Sequence, residues 1–255
     1  MNKDIFEDLT KLSHALGDPS EGMAILGEGN VSARSGEDRF LVKASGSELA
    51  TLRDDQLTEV FFDPILSFLE DRNPSQSAVA EVLESSKVEK DSYRPSVETF
   101  LHAVCLSEAK ASCVGHVHPE VVNALLCSDV PEEELIGPLY PDQIVVCGLK
   151  WLVLPYLDPG IELAYVLREK LSAFEAENGY YPKLILLENH GAVALGSSPL
   201  EVLSILRMAH KWARIAQGAL SVGKLRFMPP EEARRIDGRD DEQVRRRALG
   251  LATSD

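Results

Sequence analysis

No apolar run in this 255-residue chain approaches the ~18 residues that a membrane-spanning helix needs, so no transmembrane segment is expected. The first twenty residues, opening Met1-Asn2-Lys3-Asp4, hold neither an apolar h-region nor a small-residue cleavage site. No secretory signal is expected, and a cytoplasmic location is the default. Basic residues are in deficit: 26 Lys and Arg stand against 41 Asp and Glu, for a formal net charge of -15. A phosphate backbone demands a basic surface, so nucleic acid is not expected as a partner. A small anionic substrate remains open, because a local cluster can bind one phosphate within an acidic protein, and Arg34, Arg39 and Lys43 lie close together in sequence. Cysteine is scarce. Cys105, Cys113, Cys127 and Cys147 form no Cys-x-x-Cys pair, fall in apolar stretches, and are expected to be buried free thiols of a reducing compartment.

What is present is ordinary globular composition, 44% hydrophobic and 26% charged, in a chain long enough to bury a substantial core. Ile5, Leu9, Leu12 and Leu16 recur at helical spacing and stop at Gly17. A Gly-rich turn at Gly27-Glu28-Gly29-Asn30 precedes a hairpin, Val31–Ala33 and Phe40–Val42 around Gly36-Glu37-Asp38, which ends in a second turn at Ala44-Ser45-Gly46-Ser47. Leu57–Phe62 is a further strand candidate, and residues 71–93 are a polar loop with one poor helix. After Pro95, Ser96 opens a helix to about Glu108, and Pro119 suits the first turn of another over Glu120–Cys127. Ile144–Cys147 and Trp151–Leu154 are short strand candidates, Pro159–Glu177 and Pro199–Ser221 long helices. Arg234, Arg235, Arg239 and Arg245-Arg246-Arg247 alternate with acids, most simply as a solvated or subunit-contacting helix pair. Strands and helices alternate without a break in composition. The expectation is therefore one α/β domain over residues 1–255, with layers of helices over a mixed sheet and residues 226–255 as a C-terminal helical tail.

Three of the six histidines fall in two short strings, His116-Val117-His118 and Leu187-Glu188-Asn189-His190-Gly191. Each string sits where an apolar, β-branched run stops, Ala111–Val117 and Lys183–Leu187, which are two buried strand candidates. Residues two apart on a strand point to the same side, so His116 and His118 can present two imidazoles to one point and His190 a third from a neighbouring strand end. Three neutral imidazoles around an open position are a catalytic zinc arrangement. Taken one at a time, a histidine at a strand end more often makes a structural hydrogen bond. Cys113 lies an odd number of residues from His116 and falls on the opposite face of the strand. The best carboxylate for acid–base work is Glu98, in the first turn of its helix, where the macrodipole favours negative charge; the same position is also simply a good place for an acid. His102 shares its face, as a substitute ligand or as a packing residue.

In this order, the strings resemble those of the class II aldolase/adducin family. Gly29-Asn30-Val31-Ser32-Ala33-Arg34 is similar to that family's Gly-Asn-x-Ser string, Lys43-Ala44-Ser45-Gly46 to its second phosphate loop, and Pro95-Ser96-Val97-Glu98 to its Ser-rich loop with the catalytic glutamate. His116-Val117-His118-Pro119 and Asn189-His190-Gly191 match its metal histidines, and the resemblance runs from about residue 5 to 221. It implies a three-layer α/β/α fold with a mixed, largely antiparallel central sheet. It also implies Zn²⁺, or another divalent ion, on His116, His118 and His190, with Glu98 as ligand and then acid/base. The implied reaction is that of a lyase cleaving a ketose phosphate or related sugar through a metal-stabilised enediolate, with epimerase, dehydratase and decarboxylase relatives. Gly29, Asn30, Lys43, Ser45, Gly46 and Ser96 match substrate- or phosphate-binding positions. Family members, as homotetramers, recruit a proton-donor tyrosine from a neighbouring subunit, and Tyr140 lies at about the right distance after His118 for that role, although Tyr140-Pro141-Asp142-Gln143 resembles no segment of the small aldolases. Val97 departs from the pattern, since the small sugar-phosphate aldolases commonly carry a second serine there and valine cannot donate to a phosphate oxygen. Lys43 stands where they usually have threonine and can replace the missing hydroxyl as a charged donor. The other class of function is an adducin-like binding module that kept the fold and lost the reaction; four convergent metal groups favour the enzyme.

Overall fold

The structure, a computed structural model, describes residues 3–251. Helix α1 (Lys3–Leu16) buries Leu9, Leu12 and Leu16, the apolar stripe seen in the sequence. Strands β1 (Asn30–Arg34) and β2 (Arg39–Lys43) form the expected hairpin, and β3 (Leu57–Phe61) pairs antiparallel with β2. After α2 (Phe62–Phe68) and α3 (Gln76–Ser85) comes α4 (Thr99–Ser107), which is buried all round from Thr99 to Leu106. Strand β4 (Cys113–Val117) leads into α5 (Glu120–Leu126), α6 (Glu132–Leu135) and α7 (Pro141–Cys147). The chain continues through β5 (Leu152–Leu154), α8 (Ile161–Asn178), β6 (Leu184–Leu187), β7 (Gly191–Gly196) and α9 (Pro199–Leu220). Helices α10 (Pro230–Asp237) and α11 (Asp240–Ala248) form the tail.

The seven strands make one sheet in the order β3-β2-β1-β4-β7-β6-β5, antiparallel throughout except for the β5–β6 pair. Alternation along the strands separates two cores. Val31 and Ala33 of β1, Cys113 and Val117 of β4, and Ala192 and Ala194 of β7 pack with residues of α1, α5 and α9. Phe40 and Val42 of β2, Val114 of β4, and Val193 and Leu195 of β7 pack with α2, α4 and α8 on the other face. This period-two division is what gives three layers. It also puts Cys113 on the face opposite His116. Among the described residues, no helix is long and apolar enough to cross a membrane.

Three sequence expectations need correction. Ile144–Cys147 is the last part of α7, not a strand. Pro141 occupies its first turn after an extended Tyr140, and the Gln143 amide holds the approach by accepting from Leu139 N and donating to Gly137 O. The β-branched run looks like a strand because both sides are covered: Ile144 and Val145 face Ala233 and Ile236, while Val146 and Cys147 face the main core. Cys127 is exposed, because α5 ends just before it, whereas Cys105, Cys113 and Cys147 are buried and burial raises their thiol pKa values.

The tail is not merely a solvated pair. Arg246 is 1% exposed; its Nε donates to Val145 O and its terminal nitrogens to the carbonyl and carboxylate of Asp237, which ties α11 and α10 to α7. Removing it strands buried acceptors and one carboxylate. Arg246→Ala should cost ~2–4 kcal/mol, a fall in Tm of roughly 5–10 °C for a chain of this size. Thermal unfolding followed by circular dichroism checks this.

Candidate functional site

The three histidines meet at the end of the central strand. His116 pairs across the sheet with Asn30 on β1 and with Val193 on β7, and its side chain lies on the α4 face. His118 sits just past β4, its amide donating to Met23 O over 2.9 Å. His190 ends the tight β6–β7 turn, in which Asn189 adopts a left-handed conformation (φ 53°) and Asn123 Nδ2 donates to the His190 carbonyl. Glycine is required on both flanks of this strand end. A Cβ on Gly29 would lie 2.7 Å from His116 O, and one on Gly191 would lie 2.4 Å from Val117 O. The Gly29-Asn30 and His190-Gly191 strings therefore owe their glycines to the close approach of three backbones.

The imidazoles converge through one kind of atom. His116 Nε2 lies 3.0 Å from His118 Nε2 and 3.3 Å from His190 Nε2. Glu98, at the N-cap position of α4 rather than inside its first turn, places Oε1 3.2 Å from His116 Nε2 and 3.4 Å from His190 Nε2. His116 Nδ1–H donates to Ala192 O, which leaves its Nε2 lone pair aimed at the cluster. Glu98 Oε2 accepts from Asn30 Nδ2, whereas Oε1 is buried without a hydrogen-bond donor of suitable geometry. The three histidines are thus grouped so that they could hold one ion, with Glu98 Oε1 beside His116 and His190. Zn–N bonds of ~2.05 Å in a tetrahedron give edges of ~3.3 Å, and the separations from His116 Nε2 and between His190 and Glu98 match that edge, whereas no Glu98 oxygen comes that close to His118. The donor set fits a divalent cation.

Electrostatics agree. Burial works against ionisation of Glu98, but the neighbouring His116 and His190 hold its carboxyl well below the usual carboxylate range. Burial also opposes charge on His116, yet the Glu98 carboxylate lifts its pKa above the ordinary value. His118, desolvated and beside the other two imidazoles, falls to about 3. Glu28 faces His118 Nδ1 from 3.9 Å, a further acid at the rim.

Beside the cluster, three loops are laced together. Ala44 bridges Pro95 and Ser45 N donates to Arg94 O, which sets Ser45 and Gly46 next to Ser96. Ser45 and Gly46 are exposed, and the hydroxyl of Ser45 and the amide of Gly46 have no partner among the described residues. Ser96 Oγ accepts from Glu98 N over 3.3 Å. Val97 is 42% exposed and lies against Gly160. Lys43 is buried; its ammonium donates to Ser47 O and Gly27 O and so ties the two Gly-rich turns to each other. Arg34, Arg39 and Lys43 do not form a cluster. Arg34 donates to Leu106 O and Arg39 pairs with Asp38, because the hairpin carries Arg39 and Lys43 to opposite ends of β2.

Burial lowers the Lys43 pKa from 10.5 to about 8. In that window the unfolded chain holds a proton that the native chain releases, so stability rises with pH. The stability of wild type relative to Lys43→Met should increase by roughly 1 kcal/mol per pH unit between pH 8 and 10 in urea unfolding.

Other expected residues fall outside the cluster. His102 is fully buried with Nδ1 2.6 Å from Ser32 Oγ, one turn behind Glu98, and packs rather than ligates. Tyr140 is not brought to the histidines within one chain: its hydroxyl donates to Met208 Sδ, and the Lys211 ammonium sits over its ring. The Asn30–Glu98 and Ser32–His102 pairs were missed from sequence. Their signal is a two-residue step on a strand facing a four-residue step on a helix.

Residues 7–217 match the family described as Class II Aldolase and Adducin N-terminal domain. The chain belongs to this family. Among curated relatives, a 3-oxo-tetronate 4-phosphate decarboxylase of Haemophilus influenzae is 26% identical over 219 residues, covering 86% of this chain and 90% of that protein. An uncharacterized oxidoreductase of Bacillus subtilis, YuxG, is 28% identical over 225 residues, covering 82% of this chain and 30% of YuxG, so this chain spans less than a third of that relative. Among solved structures, the N-terminal class II aldolase domain of a conserved Thermoplasma acidophilum protein superposes with a TM-score of 0.67 at 26% identity, over 84% of this chain and 94% of that one. The L-fuculose-1-phosphate aldolase of Thermus thermophilus, with a TM-score of 0.60 at 22% identity over 86% and 100% of the two chains, shares the fold.

Proposed function

We propose that this chain is a metal-dependent lyase that breaks a carbon–carbon bond beside an oxygen-bearing carbon of a ketose phosphate or related sugar compound. The observation that carries this reading is the grouping of His116, His118 and His190, with Glu98 Oε1 against His116 and His190. These residues would hold the ion. When bound, such an ion supplies Lewis acidity, drawing electrons from substrate oxygens next to the bond that breaks. Glu98 then acts at Oε1: Asn30 anchors Oε2, and the first oxygen is left to take up or return a proton.

Anion binding falls to the Ser45 hydroxyl, the Gly46 amide and the Ser96 hydroxyl, and Gly29 and Asn30 fix the approach to the histidines. Lys43 contributes by bracing the two turns and by its positive charge. Tyr140 serves as proton donor to the site of a neighbouring copy in a homo-oligomer, a role that rests on the family resemblance, since within its own chain the hydroxyl turns to Met208.

A second reading, decarboxylation of a phosphorylated sugar acid, is favoured by the decarboxylase relative, which is matched over nearly its whole length. Both reactions leave the electrons of a broken carbon–carbon bond on the carbon next to a carbonyl, whose polarised oxygen takes up the charge. One experiment separates them. The purified, metal-analysed protein is incubated with ketose 1-phosphates and with a 3-oxo-tetronate 4-phosphate, and aldehyde and CO₂ are measured. About one divalent ion per chain with aldehyde release supports aldol cleavage, and CO₂ release supports decarboxylation. A protein that takes up no divalent ion and turns over neither substrate is a binding module, and the enzymatic reading fails.

A further inference from the structure

One helix face carries a concentration of positive charge that the lyase chemistry does not use. Arg207, His210, Lys211 and Arg214 recur at steps of three and four residues on α9 and so share one face. They line a cavity of about 580 Å³ with Glu21 and with the buried Met23. None of these residues belongs to the histidine cluster. In a chain whose net charge is -15, a pocket with three permanent cations and one lining acid stands out.

The charges in it are unevenly matched. Arg207 pairs with Glu21 at 2.6 Å. Lys211 reaches Asp142 only at 3.8 Å, and that carboxylate is held more closely by Arg245 at 2.8 Å. Arg214 makes no hydrogen bond or ion pair among the described residues. His210 Nδ1 is buried with no hydrogen-bond partner. Burial, and then the nearby Arg214, lower the His210 pKa, while Glu21 and Glu120 act against this. The pocket therefore combines an unpaired guanidinium and a loosely paired ammonium, with the His210 ring in its wall. A guanidinium fork and an ammonium side by side suit the oxygens of a phosphate group.

We infer that this α9 pocket is a second anion site, which takes the phosphate group of a small molecule between Arg214, Lys211 and His210. It is separate from the Ser45–Gly46 loop. It nevertheless shares a segment with the metal cluster, since Gly22 and Met23 accept backbone hydrogen bonds from Glu120 and His118.

The test is calorimetric titration of the metal-loaded protein with inorganic phosphate at low ionic strength, with the ring signals of His210 followed by NMR. The wild type should bind phosphate and shift the His210 signals. The Arg214→Gln/Lys211→Gln double variant should bind at least about tenfold more weakly at this site and leave the His210 signals in place. Ser45→Ala, which removes a donor from the other loop, should leave the His210 shift intact; this separates failure of the α9 site from failure of the proposed active site. Phosphate binding without a His210 response, or a response unchanged in the double variant, overturns the assignment. So does a wild type that binds no phosphate while the double variant changes its sedimentation, since the face is then a contact between copies.

Discussion

His116→Ala should leave the protein folded but without its metal: divalent ion content falls from about one per chain to near zero, and turnover falls by ~10³-fold or more, a Lewis-acid contribution of several kcal/mol. The reason is positional. His116 is the ring closest to both of the other imidazoles, sits within 3.2 Å of Glu98 Oε1, and is fixed by the Ala192 carbonyl. Its loss removes the hub and weakens binding by roughly 100-fold or more, since even partners that only orient a ligand cost 10–100-fold. Metal should also stabilise the wild type against heat, by RT ln(1 + [L]/Kd), and the variant hardly at all. Elemental analysis after dialysis, with melting curves in the presence and absence of Zn²⁺, decides it. Wild-type metal content in His116→Ala would remove this ring from the ligand set.

Glu98→Gln separates holding the ion from moving the proton. Gln is nearly isosteric, and its carbonyl can still accept from Asn30 Nδ2. Its amide nitrogen then faces the imidazoles where Oε1 was, a neutral group that can neither ionise nor take a proton. Turnover should fall by ~10²–10⁴-fold, the usual worth of a positioned acid–base group. Three imidazoles remain, so metal content after loading should stay within a few-fold of wild type. A variant that loses metal and activity in parallel would make Glu98 chiefly a ligand. One that keeps full turnover would remove it from the chemistry.

The grouping of the three histidines was legible because their strings sit at element ends. His-x-His after an apolar run and Asn-His-Gly after another state both the strand and its end, and the two-residue strand period supplies the convergence. The order of layers followed from the alternation of strands and helices. What was not legible depends on pairing between distant segments. Nothing near Lys43 says that its ammonium will be spent on Ser47 O and Gly27 O, because that needs the turn at Gly27 folded against the one at Ser47. Tyr140 has a plausible distance along the chain from His118, but distance along a chain does not fix direction, and its hydroxyl turns to Met208. Ile144–Cys147 reads as a strand because both of its sides are covered. An element buried on both sides has no polar face to set its period.

The position of His116 in the fourth of seven strands bears on hydrogen exchange. Its amide belongs to a strand paired on both edges, and its ring is walled in by both neighbouring strands and by α4. Such an amide exchanges with deuterium only through global unfolding, whereas the exposed Gly46 amide, on a loop tip, exchanges through local opening. The histidine end and the Ser45–Gly46 loop thus keep different clocks, the first rigid on the lifetime of the fold and the second free to reopen many times within it.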